Sequence, residues 1–367
     1  METLSFGERL TRCLCGEEVD RIPFGATFGW GCWPETLERW RRETGRDDLN
    51  PAQELHFEPG YAMPELYCDI FPKFESKIIE EDEEFVVVRT ESGVTQRRFR
   101  HSENMPEFLE YPVKTEDDWQ QLKEERLQID QPGRAAQDWD IFRARLKETG
   151  EGVRVGMLPC GLFGMPRELL GAEELLVSFY TQPGMIRDMM EHLTSLWISV
   201  WEKVAAEVQI DHIHIWEDMS GKQGSLISPQ MIREFMMPCY DRIVDFAGTA
   251  GVRIVSVDSD GDCSGLAEVM TQHGVNMFFP FEVQAGCDIL EYRRLYPELG
   301  IIGGLDKRAL AKTKTDIDHQ LDIAVSMVKQ GRYIPAFDHH IPPDVPWDNF
   351  KYAAENIREI CRGNYGF

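Results

Sequence analysis

Short apolar, β-branched segments alternate with longer segments of helical periodicity along most of the chain. Each short segment ends in one or two acidic or polar residues before the next helical pattern begins, which is typical of α/β proteins. The strand candidates are 21–28, 153–159, 211–216, 253–260, 276–282, 300–306 and 333–338. The helix candidates are 182–207, 229–248, 263–273, 288–296, 316–330 and 348–362.

Strands that alternate with helices predict right-handed βαβ units and a parallel sheet. Most of the seven strand candidates are apolar on both faces, which favours a closed barrel over an open sheet. We therefore predict a (β/α)8 barrel of the TIM type, with a single domain over residues 1–367. The position of its eighth strand is not evident from the sequence.

Two segments break this alternation. Residues 74–100 predict an antiparallel β-hairpin that turns at Glu91-Ser92-Gly93 and forms an excursion on the barrel rim. Residues 101–150 are polar and punctuated by proline, with helix starts near Thr115 and Gln137. We predict that this second segment is a helical cap and not a separate domain.

The chain has 367 residues, of which 42% are hydrophobic, enough for a sizeable core. No apolar stretch approaches the roughly 20 residues that span a bilayer. The first residues show no apolar segment of the signal-peptide kind. The nine cysteines are scattered without a disulfide-like spacing, so we expect reduced thiols in a cytoplasmic protein.

The net charge of −25 argues against nucleic acid as a partner, because phosphate binding needs clustered Lys and Arg. A surface this acidic mainly favours solubility. It also means that an anionic substrate must be met by local positive groups, which makes the arginines and lysines of the pocket important. A homodimer is compatible with the sequence.

Acidic residues follow five of the predicted strands, at the ends where TIM barrels place their active sites. Asp is also a favoured helix N-cap, but that explanation fits one strand better than five at once. Several carboxylates at one barrel mouth repel each other unless a cation, a base or shared protons offset the charge. The residues concerned are Glu217-Asp218, Asp258-Ser259-Asp260, Glu282, Asp306-Lys307 and Asp338-His339-His340.

Asp258 and Asp260 occupy alternate positions at one strand end and therefore share a face. With Glu282 and His339 they form an oxygen- and imidazole-rich set suited to a divalent metal, Zn first, or Mn, Fe or Mg. The sequence thus predicts a metal site from these four residues. The alternative is a hydrogen-bonded pair that holds the loop 259–265.

Lys307 and Arg167 are the candidate counter-charges at the mouth. Arg167 follows the second predicted strand and is able to clamp a substrate carboxylate or phosphate through two hydrogen bonds. The alternative for Arg167 is a surface salt bridge with Glu168 or Glu173.

Aromatic residues cluster directly after the first predicted strand. Trp30 and Trp33, with Phe28, are candidates for stacking on a flat substrate. The alternative is that they pack beneath the hairpin.

Motifs spread over nearly the whole chain resemble the uroporphyrinogen decarboxylase superfamily. GEEVDRIPF (16–24) is similar to the opening of that family, and CDIF (68–71) to its Ser-Asp-Ile-Leu segment. IHIWEDMSG (213–221) with a later LISP, IIGGLDKRAL (301–310), and FDHHIPP (337–343) with a later DNF resemble further segments in the same order. The resemblance implies a TIM-barrel enzyme, with Asp69 as the substrate-binding aspartate and His339 as the family's histidine.

Two positions depart from that family. Its first strand carries Arg-Gln-Ala-Gly-Arg-Tyr before Pro-Glu, and alignment on Pro34-Glu35 puts Thr27 and Gly31 where the arginines belong. Those arginines hold the acidic side chains of the tetrapyrrole in the family. We therefore expect no turnover of uroporphyrinogen.

The same superfamily includes methyltransferases that pass methyl groups between small donors or coenzyme M and corrinoid proteins. They bind zinc through a His-x-Cys and a later Cys. In this chain Asp258, Asp260 and His339 stand at those positions, so the resemblance implies a harder site without thiolates. It extends to uroporphyrinogen decarboxylase-like proteins of anaerobes, many of them attached to O- or N-demethylation.

Three functions are compatible with these observations. The first is methyl transfer from a small O- or N-methyl donor to a corrinoid protein, with the mouth acids or a metal activating the leaving group. The second is decarboxylation of a tetrapyrrole or another carboxylate, and the third is a binding module without catalysis. Because only two positive residues are evident at the mouth, a polycarboxylate is disfavoured and methyl transfer is the preferred prediction. The candidate catalytic residues are Asp69, Glu217, Asp306, Lys307 and His339.

Overall fold

The computed structural model describes residues 3–25, 28–100 and 106–366. Within these ranges the strands form one parallel sheet and two antiparallel sheets. The strands are β1 (Tyr61–Ala62), β2 (Lys77–Glu81), β3 (Phe85–Arg89), β4 (Thr95–Phe99), β5 (Glu107–Glu110), β6 (Gly152–Gly156), β7 (His212–Trp216), β8 (Ser220–Gly221), β9 (Gly224–Ser225), β10 (Ile254–Asp258), β11 (Met277–Phe279), β12 (Gly300–Ile302) and β13 (Tyr333–Ile334).

The predicted helices are all present, each within a few residues of its predicted bounds. The helix predicted at 229–248 contains a π-helical turn, Ile232–Met236. The α-helices are α1 (Phe6–Leu14), α2 (Pro34–Thr44), α3 (Pro51–Glu54), α4 (Glu116–Arg126), α5 (Trp139–Thr149), α6 (Gly164–Leu170), α7 (Ala172–Thr181), α8 (Pro183–Ala205), α9 (Pro229–Met231), α10 (Met237–Ala250), α11 (Ser264–Met270), α12 (Ile289–Leu295), α13 (Lys314–Gln330) and α14 (Trp347–Cys361).

The parallel sheet is curled, and in the described residues it has seven strands in the order β1-β6-β7-β10-β11-β12-β13. Its register aligns Arg154 with His212 and His214 with Ser256. Helices follow most of its strands along the chain, as βαβ units require. This half-barrel is of the TIM type and confirms the predicted fold class.

The predicted first strand at 21–28 is wrong. Its described residues form irregular backbone that leads into a 3-10 turn at Phe28–Trp30, while Thr27 and the side chain of Phe28 lie outside the described residues. Gly25 has φ +73°, and a Cβ on Gly29 would lie 2.1 Å from the carbonyl oxygen of Phe337. Glycines that meet such demands weaken a strand, which is why the apolar pattern misled here.

The same segment nevertheless lies between the two edges of the curled sheet. On one side, the Glu58 N–H donates to the Phe24 carbonyl at 3.0 Å, just before β1. On the other, Trp30 Nε1 donates to the Pro335 carbonyl at 3.1 Å, just after β13. The strand that the sequence did not reveal is β1, which has only two residues and so carries no periodic signal.

The second sheet is antiparallel, in the order β2-β3-β4-β5. It confirms the predicted hairpin, since β3 and β4 pair around a turn in which Gly93 has φ +83°. The strands β2 and β5 extend it on either side. The helix starts are also close to the predictions, because Thr115 caps α4 in a capping box and Asp138 caps α5.

The pleat of the parallel sheet sorts its side chains onto two sides. Val153, Val155, Ile213 and Ile215 are at most 2% exposed and belong to the hydrophobic core beneath the helices. Burying each such side chain contributes about 1.5–3 kcal/mol. The alternate positions face the interior and carry Arg, His, Ser and Asp. TIM barrels usually fill this interior with branched apolar residues, so the polar interior marks the place where chemistry is to be sought.

Candidate active site

Titratable side chains from four successive loops meet at the carboxyl end of the parallel sheet. Asp260, Glu282, Lys307 and His339 follow β10, β11, β12 and β13 in turn, and we call them the mouth cluster. His339 Nε2 lies 3.8 Å from Asp260 Oδ2, and Lys307 Nζ lies 4.0 Å from Glu282 Oε1. The structure thus brings these four predicted site residues together.

The Asp260 carboxyl holds a proton more tightly than an ordinary aspartate. Its side chain is 42% exposed, but burial of the carboxyl and the charges of Glu282 and Asp218 raise its pKa to about 7. The charge of Asp258 acts in the same direction and that of Lys307 in the opposite one. A carboxyl that is half protonated near neutral pH is suited to general acid catalysis.

The imidazole of His339 is neutral at the same pH. Burial lowers its pKa, and the charge of Lys307 lowers it further. The Trp33 ring lies nearly parallel to the imidazole, with 6.2 Å between ring centroids and an interplanar angle of 23°. Trp33 is 45% exposed and borders the mouth cluster, and its stacking on a flat substrate stays a prediction.

Asp338 holds Lys307 in position. This buried carboxylate accepts the Val283 N–H at 3.0 Å and the Lys307 N–H at 3.2 Å. Lys307 Nζ lies 4.0 Å from Asp338 Oδ1. Asp338 therefore ties together the loops after β11 and β12 and holds the lysine against the mouth cluster.

The curled sheet encloses a cavity of about 210 Å³ on the strand side of the mouth cluster. One part of its wall is apolar and the other part is polar. Asp258 belongs both to this wall and to the surroundings of the mouth cluster, since its charge helps to raise the pKa of Asp260. The lining residues are Gly60, Tyr61, Arg154, Met157, His212, His214, Asp258, Met277, Phe279 and Ile302.

A chain of hydrogen bonds runs along the polar wall. Ser256 Oγ lies 2.6 Å from both His212 Nε2 and His214 Nδ1. His214 Nε2 lies 3.4 Å from Asp258 Oδ2. Burial lowers the pKa of both imidazoles, so each carries one N–H.

The Asp258 carboxylate accepts a hydrogen bond from His214, and this fixes the donor and the acceptor of every other bond in the chain. His214 then donates from Nε2, Ser256 donates to His214 Nδ1, and His212 donates from Nε2 to Ser256. His212 Nδ1 is left as an acceptor at the cavity. The chain of hydrogen bonds thus connects the cavity wall to Asp258.

Three non-glycine residues near this end of the sheet have left-handed backbone conformations. Met157 (φ 68°) follows β6, Asp218 (φ 42°) follows β7, and Phe281 (φ 63°) follows β11. Each such conformation costs about 1–3 kcal/mol and persists only where the surroundings enforce it. Strain of this kind concentrates at functional sites, which supports placing the site here.

Glu217 does not join the mouth cluster, contrary to the prediction. It is fully buried and accepts the N–H groups of Leu162 at 3.0 Å and Phe163 at 2.6 Å, together with the Tyr240 hydroxyl at 2.7 Å. Strand residues alternate in direction, and Glu217 has the opposite parity to the inward-facing His214. Its place is structural, at the start of α6.

Arg167 is engaged by Asp218. Its Nη2 lies 2.9 Å from Asp218 Oδ2, and its Nη1 donates to the Asp218 carbonyl at 2.6 Å. Its guanidinium also stands 4.8 Å from the centroid of the Trp216 ring. The alternative that Arg167 forms a salt bridge with Glu168 or Glu173 is therefore wrong. The guanidinium of Arg167, which was expected to clamp a substrate, already binds the carboxylate of Asp218.

Three further candidates have partners of their own. The carboxylate of Asp69 pairs with Lys73. Asp306 caps the 3-10 turn that follows β12, and its two oxygens bind Arg308 at 2.8 and 2.7 Å. Trp30 is 4% exposed and packs among phenylalanine rings of the core, so the prediction that it stacks on a substrate is wrong.

Within the described residues, no group of three or more His, Cys, Asp or Glu side chains is placed to hold a metal ion. Lys307 stands beside Glu282 and supplies the positive charge that a metal would otherwise bring. The predicted donors Asp258, Asp260, Glu282 and His339 therefore do not fit a divalent metal as they are arranged.

The polar cavity wall is the part of the site that the sequence analysis missed. Its signal is present in the strands, because Arg154 stands between two valines and His212 and His214 flank an isoleucine. A polar residue at every second position of an otherwise apolar strand marks one polar face. In a barrel that face is the interior.

The sequence profile described as "Uroporphyrinogen decarboxylase (URO-D)" matches residues 85–360, about three quarters of the chain. The chain belongs to the uroporphyrinogen decarboxylase family. The matched region includes β6 to β13, and so most of the cavity and the whole mouth cluster of this family member. Members of the superfamily are enzymes, either decarboxylases or methyltransferases.

Two uroporphyrinogen decarboxylases of Prochlorococcus marinus are similar to this family member over half of their length. The protein of subspecies pastoris (strain CCMP1986 / NIES-2087 / MED4) is 22% identical over 189 residues, 49% of this chain and 50% of that protein. The protein of strain MIT 9312 is 21% identical over 184 residues, again 49% and 50%. The chain thus spans about half the length of these relatives.

A methyltransferase from Methanosarcina mazei shares the fold with a TM-score of 0.61. The match covers 97% of this chain and 99% of that one at 13% sequence identity, and it therefore concerns the fold alone. None of the helices in the described part of the chain combines the length and the hydropathy needed to span a bilayer.

Proposed function

We propose that this member of the uroporphyrinogen decarboxylase family moves a methyl group from a small O- or N-methyl donor to a corrinoid protein. The observation that carries the proposal is a proton-bearing Asp260, with a pKa of about 7, next to a cavity of about 210 Å³. A small donor suits such a cavity, and its leaving oxygen or nitrogen needs a proton. The fold shared with a methyltransferase of Methanosarcina mazei supports this assignment.

Methyl transfer breaks the bond between the methyl carbon and the donor's heteroatom, which keeps the electron pair. Asp260 donates its proton to that atom, so that a neutral molecule leaves in place of an anion: water from methanol, ammonia from methylamine, and an alcohol from a methyl ether. General acid catalysis of this kind typically accelerates a reaction by about 10²–10⁴-fold. A corrinoid carried by the partner protein would supply the nucleophile that takes the methyl group. Because Asp260 is partly exposed, it recovers its proton from water.

The other members of the mouth cluster tune this acid. Glu282 raises the pKa of Asp260, and Lys307 opposes that effect, so that the carboxyl gives up its proton near neutral pH. A general acid works best when its pKa is close to the operating pH. His339, neutral and covered by Trp33, adds no positive charge that would lower the pKa of Asp260.

Decarboxylation of uroporphyrinogen is disfavoured by the same geometry. A tetrapyrrole is far larger than the cavity, and its several carboxylates would meet a mouth cluster with one cation, Lys307, and two carboxyls. Gly31 stands at one of the family's arginine positions, and the other, Thr27, lies outside the described residues.

The test uses reduced cobalamin as the methyl acceptor and follows methylcobalamin by its absorbance. The donors are methanol, methylamine, methoxyacetate and 4-methoxybenzoate. At least one should methylate cobalamin, and Asp260→Asn should lower that rate by about 100-fold or more. The matched control is Asp117→Asn, an exposed aspartate on α4, which should retain the full rate.

Two outcomes would contradict the proposal. Coproporphyrinogen formed from uroporphyrinogen, with no methylation of cobalamin, would make the protein a decarboxylase. If neither reaction occurs, the barrel is a binding module and the raised pKa of Asp260 serves ligand recognition.

A further inference from the structure

Arg154, in the middle of β6, places a guanidinium inside the curled sheet without an anionic partner among the described residues. Its Nη2 lies 3.1 Å from the sulfur of Met157 and 3.4 Å from the sulfur of Met63, and thioethers are weak acceptors. The guanidinium stands 5.7 Å from the centroid of the Tyr61 ring. Burial lowers the pKa of Arg154, while the charges of Tyr61 and Asp258 act in the opposite direction without forming a salt bridge to it.

Two more polar atoms that line this cavity also lack a hydrogen-bond partner among the described residues. The Tyr61 hydroxyl and His212 Nδ1 are buried and, like Arg154 Nε, have no hydrogen-bond partner within the described chain. Buried polar groups are nearly always hydrogen-bonded, and each exception calls for an explanation. Arg154 Nε and the Tyr61 hydroxyl are donors, so these two atoms point to a ligand that accepts hydrogen bonds, while His212 Nδ1 is an acceptor on the same wall.

We propose that the cavity binds a small molecule with a single carboxylate, and that Arg154 is its counter-charge. The two carboxylate oxygens match the fork of a guanidinium, and the Tyr61 hydroxyl is a further donor on the same wall. Met277, Phe279 and Ile302 form the apolar part of the wall and suit a hydrocarbon body. A cavity of about 210 Å³ suits a small acid.

The charges on the cavity limit the ligand to one negative charge. Asp258 lines the same cavity as Arg154 and would repel a second anionic group. His212 and His214 are neutral and bring no positive charge to balance one. A phosphate dianion, which needs several charged or N–H donors, is therefore a poor match, and a monocarboxylate is a good one.

This inference rests on the proposed function in one respect, since it takes the carboxylate-bearing molecule to be the methyl donor. Arg154 then anchors the donor through its acid group, while the methyl group is presented to the mouth cluster. A carboxylate paired with a guanidinium is stabilised in its charged form, which opposes its loss as CO₂. The acid group is thus an anchor and not a leaving group.

Arg154→Met tests the anchor with little risk to the fold. The substitution removes a buried charge that has no ion-pair partner among the described residues, so the unliganded variant should unfold at the same temperature as the wild type or above it. Tyr61→Phe removes a hydroxyl that has no hydrogen-bond partner among the residues the structure describes, and it should be equally benign. An essential structural role for either group would instead lower the unfolding temperature.

Binding is measured by calorimetry with benzoate and 3-methylbutanoate as probes, and with benzamide as the uncharged match to benzoate. Both carboxylates should bind the wild type, and benzamide should bind at least about tenfold more weakly than benzoate. Arg154→Met should weaken benzoate binding by at least about tenfold and leave benzamide unchanged. Tyr61→Phe should weaken benzoate by a smaller factor.

The carboxylate site is refuted if neither acid binds the wild type, if benzoate binds Arg154→Met as tightly, or if benzamide equals benzoate. The experiments distinguish a failure of the carboxylate site from a failure of the proposed function. Carboxylate binding at Arg154 without methyl transfer from any donor removes the function and keeps the site. Methyl transfer from methanol that is indifferent to Arg154→Met, without carboxylate binding, keeps the function and removes the site.

Discussion

The Asp260 carboxyl should titrate near pH 7, well above the ordinary aspartate value of about 3.9. Burial is the largest cause, and the charges of neighbouring groups come next. Removing one neighbouring charge typically moves a pKa by roughly 1 pH unit or more. Glu282→Gln should therefore lower the pKa of Asp260 by about that amount, and Lys307→Met should raise it by a similar amount.

The titration is read by ¹³C NMR on protein labelled at the aspartate carboxyl carbon. Asp260→Asn identifies the signal that belongs to Asp260, and Asp117→Asn removes a surface signal as a control. Opposite shifts in the Glu282 and Lys307 variants are the decisive result, since a general loosening of the loops would move both in the same direction. An Asp260 signal that titrates below pH 5 in the wild type would refute the reasoning.

The same proton links activity and stability to pH. The acid form of Asp260 is consumed in the proposed step, so the rate should fall about tenfold per pH unit above 7. The folded-state pKa lies above the unfolded one, so protonation stabilises the fold at low pH, and this contribution is lost as the pH rises through about 7. Asp260→Asn should raise the unfolding temperature more at pH 8 than at pH 5.

Four further predictions concern Glu217, Trp30, Trp33 and the metal content of the protein. Glu217→Ala should lower the free energy of unfolding by at least about 3 kcal/mol in urea titrations, and Tyr240→Phe should lower it by about 1 kcal/mol. If Glu217→Ala is as stable as the wild type, Glu217 has no structural role. Trp30→Ala should lower the free energy of unfolding by about 3–5 kcal/mol. Trp33→Ala should leave the free energy of unfolding nearly unchanged but raise the pKa of His339 in NMR titrations. An unchanged pKa of His339 would show that the Trp33 ring does not bury the imidazole. Protein incubated with Zn²⁺, Mn²⁺, Fe²⁺ and Mg²⁺ in turn and then dialysed should retain no stoichiometric metal by elemental analysis, whereas bound zinc that disappears in Asp260→Ala would restore the metal site.

Much of the fold followed from periodicity. Helices of ten or more residues carry a 3.6-residue repeat over several turns, and each predicted one was found. The edge of the sheet was harder, because β1 is two residues long, Gly25 has a positive φ, and Gly29 approaches the backbone of Phe337 closely. Which segment occupies the gap between two sheet edges depends on long-range contacts that no local pattern records.

The site was predictable where the alternation of side chains between the two faces of a strand was used. Asp258 and Asp260 were placed on one face by their spacing, and both act on the mouth. The same rule, applied to β7, separates Glu217 from His214, and applied to β6 it turns Arg154 inward. Partners could not be predicted in this way, since the pairing of Arg167 with Asp218 brings two loops together in space.

The near-parallel Trp33 and His339 rings give this site its own optical reporter. An imidazolium accepts an electron from an excited indole and quenches its emission, whereas a neutral imidazole does so poorly. Trp33 is half exposed while Trp30, Trp40 and Trp119 are buried in the core, so the difference spectrum against Trp33→Phe isolates its light. Stopped-flow fluorescence on unlabelled protein should therefore register the arrival of a donor or a partner protein that changes the protonation of His339, before any chemistry takes place.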